Sequence, residues 1–280
     1  MIKTSLIQKI TLSGLLLALT IIFTRFLSIQ NIPVIPFVRI SIGPALIIFT
    51  SLLLGPVCGA VVGAGSDILG IVLVPNALGY SINPLFTLVY GLLGVVPWLI
   101  YYLVKIVKNP RIALIIFISV LAALLVFVTI FLCLNSQIIL FGKEYIFEIW
   151  HKTLIIVLSF VFSIGMSLGI FFFNRYLKNK RGDYDNEVYR YAVVCLISEI
   201  LVMLILNSIV KALFFEIDFL FVFFAQAIVF FIDIVINTIV VTLLMLLSKK
   251  YIRYRLWNYL KKETITNQNQ NTPFIGEFYY

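Results

Sequence analysis

Charged residues are scarce in this chain. They make up 12% of its 280 residues, against 62% hydrophobic. A soluble domain carries about 25%, and 12% is too little to cover the surface of a soluble protein of this size. Hydrocarbon is therefore the expected solvent for most of the chain. Histidine is nearly absent, with His151 alone. The three cysteines, Cys58, Cys133 and Cys195, lie in or beside apolar runs with no C-x-x-C among them. This excludes the common zinc spacings and a disulfide framework, so no metal and no cofactor is expected. The sequence has no G-x-x-x-x-G-K-[ST], which excludes ATP hydrolysis by a P-loop. It has no H-E-x-x-H, no G-x-S-x-G and no Cys/His pairing, so no enzyme is expected.

What is present is a series of long apolar runs. A spanning helix needs about 20 apolar residues. Polar and Pro/Gly breaks place helices over 7–27, 39–54, 56–74, 84–105, 111–134, 152–174, 188–212 and 219–248. The fold class is all-α, a polytopic membrane bundle of about eight helices in the cell membrane. The runs are continuously apolar rather than alternating, so strands are not expected and a transmembrane barrel fits poorly. The first helix shows no A-x-A-like cleavage site and is long enough to span, so it is read as uncleaved.

The net charge of +9 would line a groove in a nucleic-acid binder. Here the basic residues sit in short clusters beside apolar segments, which points to membrane topology and no nucleic acid. With the N-terminus inside, only Arg25, Arg39, Lys143, Lys152 and Lys211 fall outside. That bias predicts both ends inside. The stretch 249–262, KKYIRYRLWNYLKK, reads as a juxtamembrane stop signal with aromatic anchors, and an interfacial helix is the other reading. The polar residues 264–280 read as irregular. The domain expectation is a transmembrane part over 1–248 and a cytoplasmic tail over 249–280.

Ionisable residues inside a bilayer are costly, and each one is a candidate for function. Arg25 ends the first helix and Arg39 begins the second, both on the outer side. Asp67 lies twelve residues past Gly55, roughly 18 Å toward the outside. Asn76, Tyr80, Asn83 and Thr87 flank the outer entry to the fourth helix. Asn207 and Lys211 end the seventh, and Gln226 sits two turns into the eighth. These ten residues fall at one depth, which suits a small-molecule site, and all but Asn76 and Thr87 are taken as its candidate residues. Arg can fork onto a carboxylate. Two plainer readings stay open: the basic residues snorkel to headgroups, and Asp67 is the counter-ion of Arg39.

Glu199 and Asp233 lie deeper, near the midplane, with no basic residue at their depth. At least one must be protonated or held by hydroxyl and amide donors. A proton relay and a hydrogen-bonded tie between helices are both open. Small residues recur at helix spacing: Gly14 and Ala18 on the first helix, Gly59 and Gly63 on the third, Gly165 and Gly169 on the sixth. Such stripes let backbones approach closely.

The stretches TRFLSI (24–29), VRISIGPALIIFTSLLLGPVCGAVVGAGSDILG (38–70), INPLFTLVYGLLGVVPWLIYY (82–102) and LILNSIVKALF (204–214) resemble the S components of energy-coupling factor (ECF) vitamin transporters, most of all the folate group. The resemblance covers 1–107 and 187–248, the six-helix core, and leaves 111–175 as an inserted helix pair. It implies a subunit that binds a vitamin from outside and docks on a T component driven by two cytoplasmic ATPases. It further implies that Arg25, Arg39 and Lys211 face the vitamin's carboxylates. Asp67 would meet a pterin-like amino edge, and Gly14 and Ala18 would form the docking face, where the family usually has Ala-x-x-x-Ala. From another class, the competing reading is a self-sufficient proton-coupled transporter that uses Glu199 and Asp233.

Overall fold

Proline and glycine set the helix boundaries. The computed structural model describes residues 6–29, 40–74, 83–106, 110–135, 137–140, 143–146, 148–180 and 187–270. Within them, α1 (Leu6–Ile21) runs into a π-helical turn over Ile22–Phe26. It is followed by α2 (Gly43–Leu54), α3 (Pro56–Leu73), α4 (Pro84–Ile106) and α5 (Pro110–Leu134). After a short hairpin come α6 (Ile149–Lys180), α7 (Glu187–Glu199), a second π segment over Ile200–Leu206, α8 (Asn207–Phe215) and α9 (Phe219–Gln270). Pro56, Pro84 and Pro110 each open a helix, where the missing N–H costs nothing and the fixed φ is already helical. Between α2 and α3 the chain turns on one residue, Gly55, at φ 106° and ψ 171°, a conformation that any side chain would strain. Asp218 opens α9, its Oδ1 accepting the Phe221 N–H at 3.1 Å as an N-cap.

Seven of these helices or helix runs are long and apolar enough to cross a membrane, and the chain is an integral membrane helix bundle. The second expected helix is shorter than its apolar run. It starts at Gly43 rather than 39, where the Ser41 hydroxyl accepts the Gly43 N–H at 3.0 Å. Its twelve residues give about 18 Å, short of a bilayer core of about 30 Å. It is an interior element instead, buried at every position from Ala45 to Ser51. The sixth helix is longer than 152–174 at both ends.

Two further expectations are corrected. Strands do occur: Gln137–Leu140 (β1) pairs antiparallel with Lys143–Ile146 (β2), Gln137 opposite Ile146 and Leu140 opposite Lys143. The polar residues 264–270, read as irregular, are helical. No Pro or Gly interrupts 249–270, and extending an existing helix needs no new nucleus. Residues 271–280 of the expected tail lie outside the described residues. The chain forms two compact units, Met1–Thr242 and Leu243–Tyr280.

Within the first unit, α3 and α4 lie closest together. A Cβ on Gly59 would collide with the Gly94 carbonyl, and one on Gly63 with the Tyr90 carbonyl. These glycines serve internal packing, which lets backbones touch without side chains between them. Helix α7 lies at the centre, with Tyr191, Ala192, Val193, Val194, Cys195 and Leu196 all sealed from the surface. It packs against α4, α5 and α6. Helix α5 also meets the start of α9: Phe131 stacks on Phe224 at 4.3 Å and Phe127 meets Phe223 edge to face at 4.9 Å.

Candidate ligand site

Three elements bring charge and hydroxyls together at one end of the bundle. The π-helical turn presents Arg25, α3 presents Asp67 and α4 presents Thr87. Arg25 Nη2 stands 3.6 Å from Asp67 Oδ1, with side-chain exposures of only 2% and 5%. The same nitrogen donates to the Asp67 main-chain carbonyl at 3.4 Å. Thr87 donates its hydroxyl to Asp67 Oδ2 at 2.9 Å. The guanidinium fits because residue 70 is glycine. A Cβ there would come within 2.6 Å of Arg25 Nε. Arg25 therefore does not snorkel to headgroups. It lies inside the protein as the counter-ion of Asp67, a role the sequence suggested for Arg39. At 3.6 Å the pair is in contact without being closed, because a charge-assisted bond sits at about 2.7–2.9 Å.

A second polar group joins α8 to α9. Asn207 Nδ2 donates to Gln226 Oε1 at 3.3 Å, and Gln226 Nε2 donates to the Ser208 hydroxyl at 2.8 Å. With the amide turned over, Gln226 instead donates to the Met203 carbonyl at 2.8 Å and accepts from Ser208 Oγ at 2.8 Å. Met203 lies in the π segment, whose altered backbone bonding is common at functional sites. Lys211 follows Asn207 by one turn and is half-buried. Helices α4 and α8, which carry Thr87 and Lys211, meet, with Phe86 edge to face on Phe214 at 5.7 Å.

Of the eight expected residues, then, Arg25 and Asp67 are joined directly, and so are Asn207 and Gln226. Asn83 acts locally, since its Oδ1 accepts the Leu85 N–H at 2.9 Å and caps α4. Arg39 and Tyr80 lie outside the described residues. Ser208 and Gly70 were not among the candidates, and Thr87 was placed at the right depth without a role. For Gly70 the signal was present in GAGSDILG (63–70), part of the stretch that carries the family resemblance. Ser208 is a small hydroxyl residue on an apolar helix, a kind that most often bonds its own preceding turn.

Gly14 and Ala18 lie exposed on α1, and nothing stands within 4 Å of a Cβ built on Gly14. Glu199 is buried at 2% exposure, next to Asn237 and within electrostatic range of Asp233.

Comparison with known proteins agrees with this architecture. The family model described as ECF-type riboflavin transporter, S component, matches residues 4–166. That is more than half of the chain, and it takes in α5 and half of α6, the pair that the sequence set apart as an insertion. The folate transporter FolT of Clostridium novyi (strain NT) is 34% identical over 99 residues, 35% of this chain and 53% of the relative. The chain thus spans about half the length of that curated relative. No solved structure matches the chain. The protein belongs to the family of S components of ECF-type riboflavin transporters.

Proposed function

We propose that this chain is the substrate-binding subunit of an ECF-type vitamin uptake system, and that its vitamin is anionic and folate-like. The observation that carries this reading is the Arg25–Asp67–Thr87 group, a charge pair almost sealed from the surface inside an apolar bundle. Charges kept at such depth are expensive and are retained where they are used. The family description names riboflavin, which has no carboxylate. Arg25, Arg39 and Lys211 suit a ligand with carboxylates. Asp67 suits a paired amino edge such as a pterin's, since a carboxylate accepts two parallel hydrogen bonds. The Clostridium novyi relative is a folate transporter, which supports the same choice. Tyr80, Asn83, Asn207 and Gln226 would complete the binding site.

In this reading 1–107 and 187–248 form the six-helix core, 111–175 an added pair and 249–280 a cytoplasmic tail. Energy comes from elsewhere, through a T component and two cytoplasmic ATPases. The outward face of α1 at Gly14 and Ala18 is the surface that would dock on them, because it is small and unoccupied. Reconstitution tests this. Liposomes holding the chain alone should accumulate no labelled folate under a proton gradient, and liposomes that also hold the T component and ATPases should accumulate it with ATP. Accumulation by the chain alone under the gradient would overturn the reading in favour of a proton-driven transporter.

A further inference from the structure

Between α7 and α9 runs a second polar tract that the vitamin site does not use. Cys195 and Glu199 lie one turn apart on α7. Asp233 and Asn237 lie one turn apart on α9, as do Thr238 and Thr242, so each set shares a helix face. The two faces meet: Glu199 lies beside Asn237 and within electrostatic range of Asp233, and Cys195 faces Thr238. Glu199 is 2% exposed and Asn237 0%. Glu199 Oε1, both polar atoms of Asn237, Thr238 Oγ1, Thr242 Oγ1 and Ser198 Oγ are buried with no hydrogen-bond partner.

Each unsatisfied buried group costs about 1–3 kcal/mol, so a tract of adjacent ones is unstable unless something binds there. A fully bonded tie between helices would close these contacts; Glu199 faces Asn237 and Cys195 faces Thr238, yet the atoms named stop short of hydrogen-bond geometry. No Lys, Arg or His occurs in 191–210, 219–248, 84–104, 112–134 or 153–174, which cover α9 through residue 248 and the spanning parts of α7 and the helices packed on it.

We propose that this tract binds a monovalent alkali cation, sodium in the first instance, through the Glu199 carboxylate, the Asn237 carboxamide oxygen, the Thr238 hydroxyl and the Asp233 carboxylate. Hard oxygen donors select such ions over transition metals. Among the described residues no group of three or more His, Cys, Asp and Glu is placed to hold a metal ion, so amide and hydroxyl oxygens must complete any cation site. Calcium takes six to eight oxygens, and these four side chains reach six only if both carboxylates bind through both of their oxygens. Glu199 is also the residue that leads into the π segment Ile200–Leu206. Cation sites near a bilayer midplane are typically built where a helix departs from α geometry. Asn207 of the vitamin site closes the same segment. The cation would therefore fix the α7–α9 seam directly beneath that site without having to cross the membrane.

The test is thermal unfolding of the purified full chain in detergent, without vitamin, at constant ionic strength. Sodium chloride should raise the Tm saturably over choline chloride. Asn237→Ala should raise the half-saturating sodium concentration by about tenfold, the scale of one lost ligand contact, and Glu199→Gln should abolish the response. Radioactive sodium should bind at one ion per chain. Equal Tm in sodium, potassium and choline would overturn the proposal, even if neither variant folds. So would a Tm that follows pH alone, which assigns the tract to a proton, or one that responds only to calcium. With no vitamin in the assay, either result leaves the vitamin-binding reading to its own test.

Discussion

Arg25, Asp67 and Gly70 form one unit, and substitutions should show it. Arg25→Ala leaves the Asp67 carboxylate buried and unpaired, which costs about 3–5 kcal/mol when a buried pair is broken. Asp67→Asn keeps an acceptor for Thr87 and should cost less. The double variant should be less destabilised than the sum of the two, and a double-mutant cycle read by thermal unfolding measures that coupling. Additive effects would show that the pair contributes nothing as a pair. Gly70→Ala should weaken vitamin binding by about tenfold with helical content unchanged, because the guanidinium must shift away from the new methyl; crowding of this kind costs about 1–3 kcal/mol. Unchanged affinity would mean that Arg25 does not need its present position. A lone carboxylate inside an apolar helix made Asp67 legible from sequence. Its partner was not legible, because Arg25 and Arg39 fall at the same estimated depth. The π-helical turn at Ile22–Phe26 decides which face of the first helix Arg25 occupies, and a π turn leaves no mark in the hydrophobic pattern.

At the scale of elements, prolines at the first turn and the glycine after α2 were readable, and most helix starts fall within a few residues of them. Two kinds of element were not. Four-residue strands give too short an alternation to stand out beside 25-residue apolar runs, so the β1–β2 hairpin was missed. The interruption of the seventh helix by Ile200–Leu206, where the Gln226 amide in one orientation reaches the Met203 carbonyl, leaves no mark in the hydrophobic pattern. The small residues divide the same way. Gly59 and Gly63 pack inward on α4, whereas Gly14 and Ala18 face outward, a difference that spacing alone does not show. Gly14→Leu and Ala18→Leu should therefore abolish ATP-driven uptake while leaving vitamin affinity unchanged, since added bulk blocks close helix approach. Uptake that survives both changes would remove α1 from the docking face.

For the molecule as a whole, the scarcity of charge was sufficient to establish a membrane bundle, and the clustering of Lys and Arg predicts its orientation. In a chain with Cys58, Cys133 and Cys195 replaced, a membrane-impermeant thiol reagent added outside should label Lys143→Cys and Tyr80→Cys but not Lys180→Cys or Arg255→Cys. Labelling at position 180 from outside would reverse or break the topology. Helix count was the weaker inference, because α2 has the composition of a span and only half the length. The measurement that tests the central claim most directly is calorimetry on monodisperse protein stripped of ligand, titrated separately with folate and with riboflavin. The account predicts tight, one-to-one binding of folate that Arg25→Ala weakens by about 1.5–3 kcal/mol, the scale of a hydrogen bond to a charged group, and no comparable binding of riboflavin. Tight riboflavin binding, or folate affinity equal in the wild type and in Arg25→Ala, would contradict it.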